Sequence, residues 1–346
     1  FISGQNKLNE TSHYTGVPLR TYGQQEADII PIVKSITKYS VMITDPNRIA
    51  YELDKALFLA QDGRKGPVWV DVPLDIQNKR VDIEKLERFI PKKITKPSPS
   101  SDDIHYIINA LQNAERPALL IGSGVRSAEA IEDLDLFLEK YSIPVTYSAS
   151  SPDSYGLDNQ LSIGSVGMMG CSRAGNWTVQ NSDLLIVLGC RLNTMTTGEE
   201  IEKFARKSKV IVVDIDPIEH SKKSIKIDRL VIADLKETII QLTKHEVIKN
   251  HNNWQKKCLH WKEVFPKCED SFKTKGKVDL YFLAECLSNA LPTYSTFVSD
   301  SGLIELILPP NIGFKRGQRC IHPSSQGSMG FALPGLVGAY FASKNP

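Results

Sequence analysis

Asp183-Leu184-Leu185-Ile186-Val187-Leu188-Gly189 and, after a helix-length interval, Lys209-Val210-Ile211-Val212-Val213-Asp214-Ile215-Asp216 decide the fold of this 346-residue chain. Each is a short unbroken apolar run ending in glycine or aspartate, the pattern of a strand buried on both faces in a parallel sheet. Ala118-Leu119-Leu120-Ile121, Pro144-Val145-Thr146-Tyr147 and Leu230-Val231-Ile232-Ala233-Asp234 read the same way. A helix is expected from Ala128 to Tyr141, entered through the turn Gly122-Ser123-Gly124. Strand and helix in alternation specify a doubly wound parallel sheet over residues 103–245.

Upstream, helix, strand, helix and strand alternate from Ile29 to Val81. Ile49 to Ala60 carries apolar side chains at helical spacing and should stop near Gly63, as a helix with a glycine C-cap does. Pro67-Val68-Trp69-Val70-Asp71-Val72-Pro73 is the buried strand that follows. The basic, Pro/Ser-rich stretch Lys92–Asp102 lacks periodicity and reads as an exposed connector, so a domain of residues 1–90 and a linker of 91–102 are expected. Downstream, residues 246–277 carry Trp254, Cys258, Trp261 and Phe265 on one helical stripe, a helix expected to dock between domains. A last unit, 278–346, opens with a helix (Leu280 to Leu291) and a strand (Thr296 to Asp300) and reaches a glycine-rich turn at Gly327-Ser328-Met329-Gly330.

Lysine and arginine number 42 against 40 acidic residues, a net charge of +2 that gives no field suited to nucleic acid or a membrane surface. No run approaches the roughly 18 apolar residues of a membrane span. Small neutral or anionic ligands are the expected partners. The six cysteines are scattered without disulfide or zinc spacing, which suits a reducing, cytoplasmic compartment. Cys258, His260 and Cys268 fit no metal pattern, and Cys258 belongs to the apolar stripe, so no metal ligands are assigned. Phe1-Ile2-Ser3-Gly4-Gln5 has neither an initiator methionine nor a targeting pattern. It reads as a strand end, so the natural polypeptide is expected to start earlier, a processed terminus being the alternative.

Three stretches, in order and spacing, resemble the acetolactate synthases and their paralogues, which are thiamine-diphosphate-dependent enzymes. The first joins Gln25-Glu26 and Lys34–Lys38 to Gly66–Gln77 and is similar to the second half of the family's pyrimidine-binding domain. The second runs from Arg116–Gly124 through Gly167-Met168-Met169-Gly170 and Asn181–Leu185 to Asp214–Asp216, and is similar to the central Rossmann-like domain. The third, Gly327–Gly335, is similar to the opening of the diphosphate-binding domain. The resemblance implies an α/β protein of three doubly wound parallel-sheet domains, the first and last incomplete.

It further implies a transferase or lyase that decarboxylates a small 2-keto acid and ligates the product, as a homodimer or homotetramer. The cofactor's activating glutamate would lie upstream of Phe1 and the magnesium motif beyond Pro346, so the chain alone should be inactive. By the match, Gly327, Ser328 and Met329 touch thiamine diphosphate, and Gln25 lies near the substrate pocket. Without the match, the former read as a helix-start turn and the latter as a solvated amide.

Flavin adenine dinucleotide is a possible further cofactor. Its contacts would fall at Arg64, Ser123, Ser148, Gly167, Met168, Gly189, Arg191, Asp214 and Asp234, with retention for packing as the alternative. The glycine turn is an incomplete dinucleotide fingerprint, because Ser127 stands at the third glycine position, which argues against a nicotinamide dehydrogenase. Asp214 and Asp216 can also be helix caps. Several positions depart from the family: Gln24 for a phenylalanine, Leu74 for a lysine, Thr194-Met195 for the Asp-Arg pair that takes the second keto acid, Leu303-Ile304 for Gln-His, and Met169 for a histidine. The loss of the Asp-Arg pair changes the expected acceptor, and the departures together also suit a non-catalytic paralogue that binds a nucleotide or partner subunit.

Overall fold

The computed structural model describes residues 1–91, 96–156, 159–246 and 249–343. The chain divides into two compact units, Phe1–Lys96 and Pro97–Pro346. Among the described residues every strand pairing is parallel. Among the described residues no helix is long and apolar enough to cross a membrane.

The first unit is a three-stranded sheet in the order β1-β3-β2. β1 (Ile2–Gln5) and β2 (Tyr39–Met42) flank β3 (Val68–Pro73), with Ile2 beside Val70 and Tyr39 beside Val68. Short helices α1 (Ser12–Thr15) and α2 (Ile29–Val33), the longer α3 (Ile49–Gln61) and the single turn α4 (Leu74–Gln77) surround it. Ile43, Ala56, Val70 and Ile76 form the core. α3 stops near Gly63 as expected, but its C-cap is Asp62, whose extended backbone (φ −72°, ψ 137°) ends the helix after Gln61, with left-handed Gly63 one residue later.

The second unit opens within the expected connector. Residues 92–95 of that connector lie outside the described residues. Ser100 caps α5 (Ser101–Asn113) through a capping box with Asp103, so Ser101 and Asp102 are helical rather than linker. The six-stranded sheet follows in the order β6-β5-β4-β7-β8-β9. Its strands are β4 (Pro117–Ile121), β5 (Val145–Ser148), β6 (Ser162–Val166), β7 (Leu184–Leu188), β8 (Lys209–Asp214) and β9 (Arg229–Ile232). Successive side chains take opposite faces, as the two-residue period requires. Leu119, Ile121, Leu184 and Ile186 join one core, and Ala118, Leu120, Leu185 and Val187 the other. Because β4 lies between β5 and β7, the winding reverses at its carboxyl end, where open α/β sheets form their ligand crevices.

Four expectations need correction here. The helix expected from Ala128 begins only at Ile131, as α7 (Ile131–Tyr141), because Glu129 turns left-handed (φ 57°) with Ala130 buried in the core, and the glycine turn ahead of it holds a separate short helix, α6 (Gly124–Ser127). Strand β6 was not anticipated. α8 (Arg173–Asn181) precedes β7, but the crossover from β7 to β8 holds only α9 (Thr194–Thr197) and a 3-10 turn at Ile201–Lys203, not a helix of ordinary length. After α10 (Leu235–Thr243) comes α11 (Asn252–Val264), which does not bridge domains. Its Trp254, Cys258 and Trp261 pack on Ile163 of β6 and Ala174 of α8, so it covers the edge of the sheet from which it follows.

The remaining lobe comprises α12 (Leu280–Ala290), β10 (Thr296–Val298), α13 (Leu303–Asn311), β11 (Arg319–Ile321) and α14 (Ala332–Ala342). β10 and β11 pair in parallel over a core of Ala284, Leu308, Ile312, Phe314 and Cys320. α13 and β11 were not among the expected elements; Pro309 and Pro310 close the last turn of α13, where the helix stops at Asn311.

Candidate cofactor sites at the switch point and the glycine turn

The carboxyl ends of β4, β5 and β7 surround a cleft of about 150 Å³. Ser123, Ser148, Gly189 and Arg191, all expected flavin contacts, line it. The other expected contacts are not among its lining residues. The backbone of Gly167 is held on both sides by Asn176, which accepts its N–H at 3.1 Å and donates to its carbonyl at 2.9 Å. The N–H of Met168 donates to the Met195 carbonyl at 2.9 Å, and its side chain is half-exposed. Asp214 does not cap a helix: one oxygen lies 3.0 Å from His220 Nε2 and the other accepts the Asp216 N–H at 3.0 Å. Nor is Asp216 a helix N-cap: its carboxylate accepts the N–H groups of Ile218 and Glu219 and closes the turn ahead of a 3-10 segment capped at Ile218. Asp234 is buried as the N-cap of α10, accepting the Glu237 N–H at 3.0 Å. Arg64 belongs to the Phe1–Lys96 unit, where its carbonyl accepts from Lys38 Nζ at 2.9 Å.

The cleft has a second wall that sequence reasoning missed. Glu305 of α13 and His322, just after β11, reach into it from the last lobe. His322 Nδ1 lies 3.3 Å from Glu305 Oε1, with the two side chains only 5% and 10% exposed. His322 Nε2 is buried without a hydrogen-bond partner, and burial pulls the imidazole below its ordinary value despite the nearby carboxylate. No spacing rule could have paired residues on different elements of a lobe whose helix was itself unrecognised.

The glycine turn is built differently. Asp300, two residues past β10, accepts the N–H groups of Ser301 (2.8 Å), Gly330 (2.9 Å) and Ala332 (2.9 Å). Those bonds, the Ala332 one foremost, hold its carboxyl below the usual range and fix the turn ahead of α14. Gly327 is left-handed (φ 59°), and Met329 stands 91% exposed. In the first unit Gln25 is exposed and left-handed (φ 64°) beside buried Glu26. Burial pushes the Glu26 carboxyl up, but bonds from Ser12, Tyr22 and Gly23 outweigh it and hold the group below its ordinary value. Among the described residues no cluster of three or more histidine, cysteine, aspartate or glutamate side chains could hold a metal ion.

Lys267 joins the sheet to the last lobe. Its Nζ donates to Tyr147 Oη (3.1 Å) and the Pro310 carbonyl (2.7 Å), and burial lowers its value to about 7. A folded value below the unfolded one means the fold disfavours the cation. That cost is complete below pH 7 and fades as pH rises toward 10.5. Lys267→Met should therefore stabilise the protein by about 1–2 kcal/mol at pH 6 and lose that gain by pH 9. Urea denaturation at the two pH values checks it. Tyr147 keeps its own bond to Pro310 (3.2 Å), so the substitution orphans no buried hydroxyl.

Residues 104–242, which contain the switch-point sheet, match the family model described as thiamine pyrophosphate enzyme, central domain. The chain is 31% identical over 334 residues to the acetolactate synthase large subunit of Corynebacterium glutamicum, covering 93% of this chain and 52% of that protein. It is 29% identical over 340 residues to the chloroplastic acetolactate synthase of Arabidopsis thaliana, covering 94% and 50%. To the probable acetolactate synthase large subunit of Methanocaldococcus jannaschii it is 29% identical over 342 residues, covering 94% and 57%. The chain spans about half the length of the curated relatives it matches. The chain is therefore similar to acetolactate synthase large subunits along nearly its whole length and to the thiamine pyrophosphate enzymes in its central sheet.

Proposed function

We propose that the whole protein binds thiamine diphosphate with magnesium, decarboxylates a small 2-keto acid and passes the remaining two-electron nucleophile to an acceptor, acting as a transferase or lyase. The lobes built on β3, on the six-stranded sheet and on β10–β11 then correspond to part of the pyrimidine domain, the central domain and part of the diphosphate domain. The observation that carries the reading is the turn at Gly327–Met329. It is held in shape by Asp300, it is left-handed at Gly327, and it presents an exposed methionine with no protein partner in its own lobe.

Such a turn fits a cofactor that packs against an apolar prop while backbone groups approach closely. Thiamine diphosphate supplies the carbon nucleophile that makes decarboxylation of a 2-keto acid accessible. This chain's residues contribute position: Gly327 admits the approach, Met329 supports the ligand, and Asp300 keeps the turn from collapsing. Gln25 is assigned to the substrate pocket, and a homodimer or homotetramer in the cytoplasm completes the reading. Thr194-Met195 stand where the family's Asp-Arg pair receives the second keto acid's carboxylate, so the acceptor differs from that of acetolactate synthases.

Isothermal titration of the full-length protein with thiamine diphosphate and magnesium tests this. Saturable heat is expected, and none at millimolar cofactor would end the enzymatic reading. Asp300→Ala releases three backbone N–H groups and should weaken cofactor binding about tenfold or more, with the fold intact by circular dichroism.

A further inference from the structure

The switch-point cleft carries residues that match a flavin site, yet the chain's own atoms already satisfy and fill it. In a dinucleotide fold, the glycine turn after the first strand lets a pyrophosphate approach the helix N–H groups. Here those groups are taken: Gly124 N–H donates to the Gly189 carbonyl at 3.0 Å and Val125 N–H to the Gly122 carbonyl at 3.2 Å. The glycines serve contact between two turns. A Cβ on Gly122 would stand 2.2 Å from the Gly189 oxygen, and one on Gly124 would stand 2.6 Å from the Gly189 Cα. The one arginine that lines the cleft is committed as well, since Arg191 Nε lies 3.2 Å from Glu219.

The last lobe closes what remains. α13 lies on the Gly170 turn so tightly that a Cβ there would meet the Leu306 carbonyl at 1.9 Å, and Asn311 Nδ2 donates to the Gly170 carbonyl at 2.5 Å. Glu305 and His322 fill the approach, so a diphosphate would meet a buried carboxylate of its own sign. The space left, about 150 Å³, is half the lower limit of roughly 300 Å³ for drug-sized ligands, and a dinucleotide is larger than those.

We propose that this cleft takes no flavin and works instead as a closed joint, in which the Glu305–His322 pair within the last lobe holds α13 in place, so that Asn311 on the Gly170 carbonyl and Pro310 on Tyr147 and Lys267 fasten that lobe to the carboxyl edge of the six-stranded sheet. The inference is independent of thiamine diphosphate binding, which calorimetry reads separately.

The test has two readouts on the full-length protein. Purified with excess flavin adenine dinucleotide and desalted, it should show no flavin absorbance near 450 nm, and titration should give no saturable fluorescence quenching to about 100 µM flavin, well above the affinity of a retained cofactor. Stoichiometric flavin, or saturable quenching, overturns the proposal. In hydrogen exchange, His322→Gln should raise the rate across residues 303–311 at least tenfold while α5 and α7 keep wild-type rates. Glu305→Gln provides a second variant should the first fail to fold. Unchanged exchange in a folded variant overturns the joint.

Discussion

Gly189→Ala is expected to cost about 3 kcal/mol of folding stability, read as a lowered urea midpoint at unchanged slope. Two terms add. Gly189 is left-handed (φ 57°), a conformation that costs a residue with a Cβ about 1 kcal/mol. The new Cβ would also stand 2.6 Å from the Gly124 Cα and 2.9 Å from its carbonyl carbon, backbone that cannot rotate aside. Overpacking of that kind costs about 1–3 kcal/mol. The turns after β4 and β7 would have to part, and their hydrogen bond from Gly124 to Gly189 with them. A loss below about 1 kcal/mol would mean the turns can separate cheaply, and the packing account of these glycines would fall.

Trp254→Ala should be larger still, at about 4 kcal/mol. Trp254 is 4% exposed, packs edge-to-face on Trp261 at 5.6 Å, and donates its indole N–H to the Pro117 carbonyl at 2.9 Å. Truncation leaves a cavity between α11 and the sheet and strips a buried carbonyl of its donor. Trp254→Phe separates the two losses: it keeps most of the ring volume and should cost only about 1–2 kcal/mol. Equal losses in both variants would show that the hydrogen bond, not the filled volume, anchors α11.

What could be read from the sequence follows from how each element is buried. β4, β7 and β8 were legible because both faces of each strand are covered, which forces unbroken apolar runs. β6 is just as buried, yet Ser162, Gly164 and Ser165 hide it. There Trp254 and Trp261 of α11 supply the apolar volume, and Ser165 Oγ accepts the Ser172 N–H at 3.0 Å. Small polar residues suffice where a neighbour brings the bulk.

The site divided in the same way. Residues at the strand ends, Ser123, Ser148, Gly189 and Arg191, converge because a parallel sheet collects its carboxyl ends on one edge. Asp214 and Asp234 share that edge in sequence but are spent on His220 and on the first turn of α10. Glu305, His322, Lys267 and Asp300 carried no local signal, since each acts through a partner distant in the chain.

The order β6-β5-β4-β7-β8-β9 has a consequence for synthesis. β4 finds β5 soon after leaving the ribosome, but its other neighbour is β7, with Pro117 awaiting Leu184. Until then a wholly apolar strand presents an open edge to every other nascent chain nearby. Chaperone occupancy on ribosomes should peak while residues 122–183 emerge and fall once Leu188 is clear, making translation speed across that window a determinant of yield.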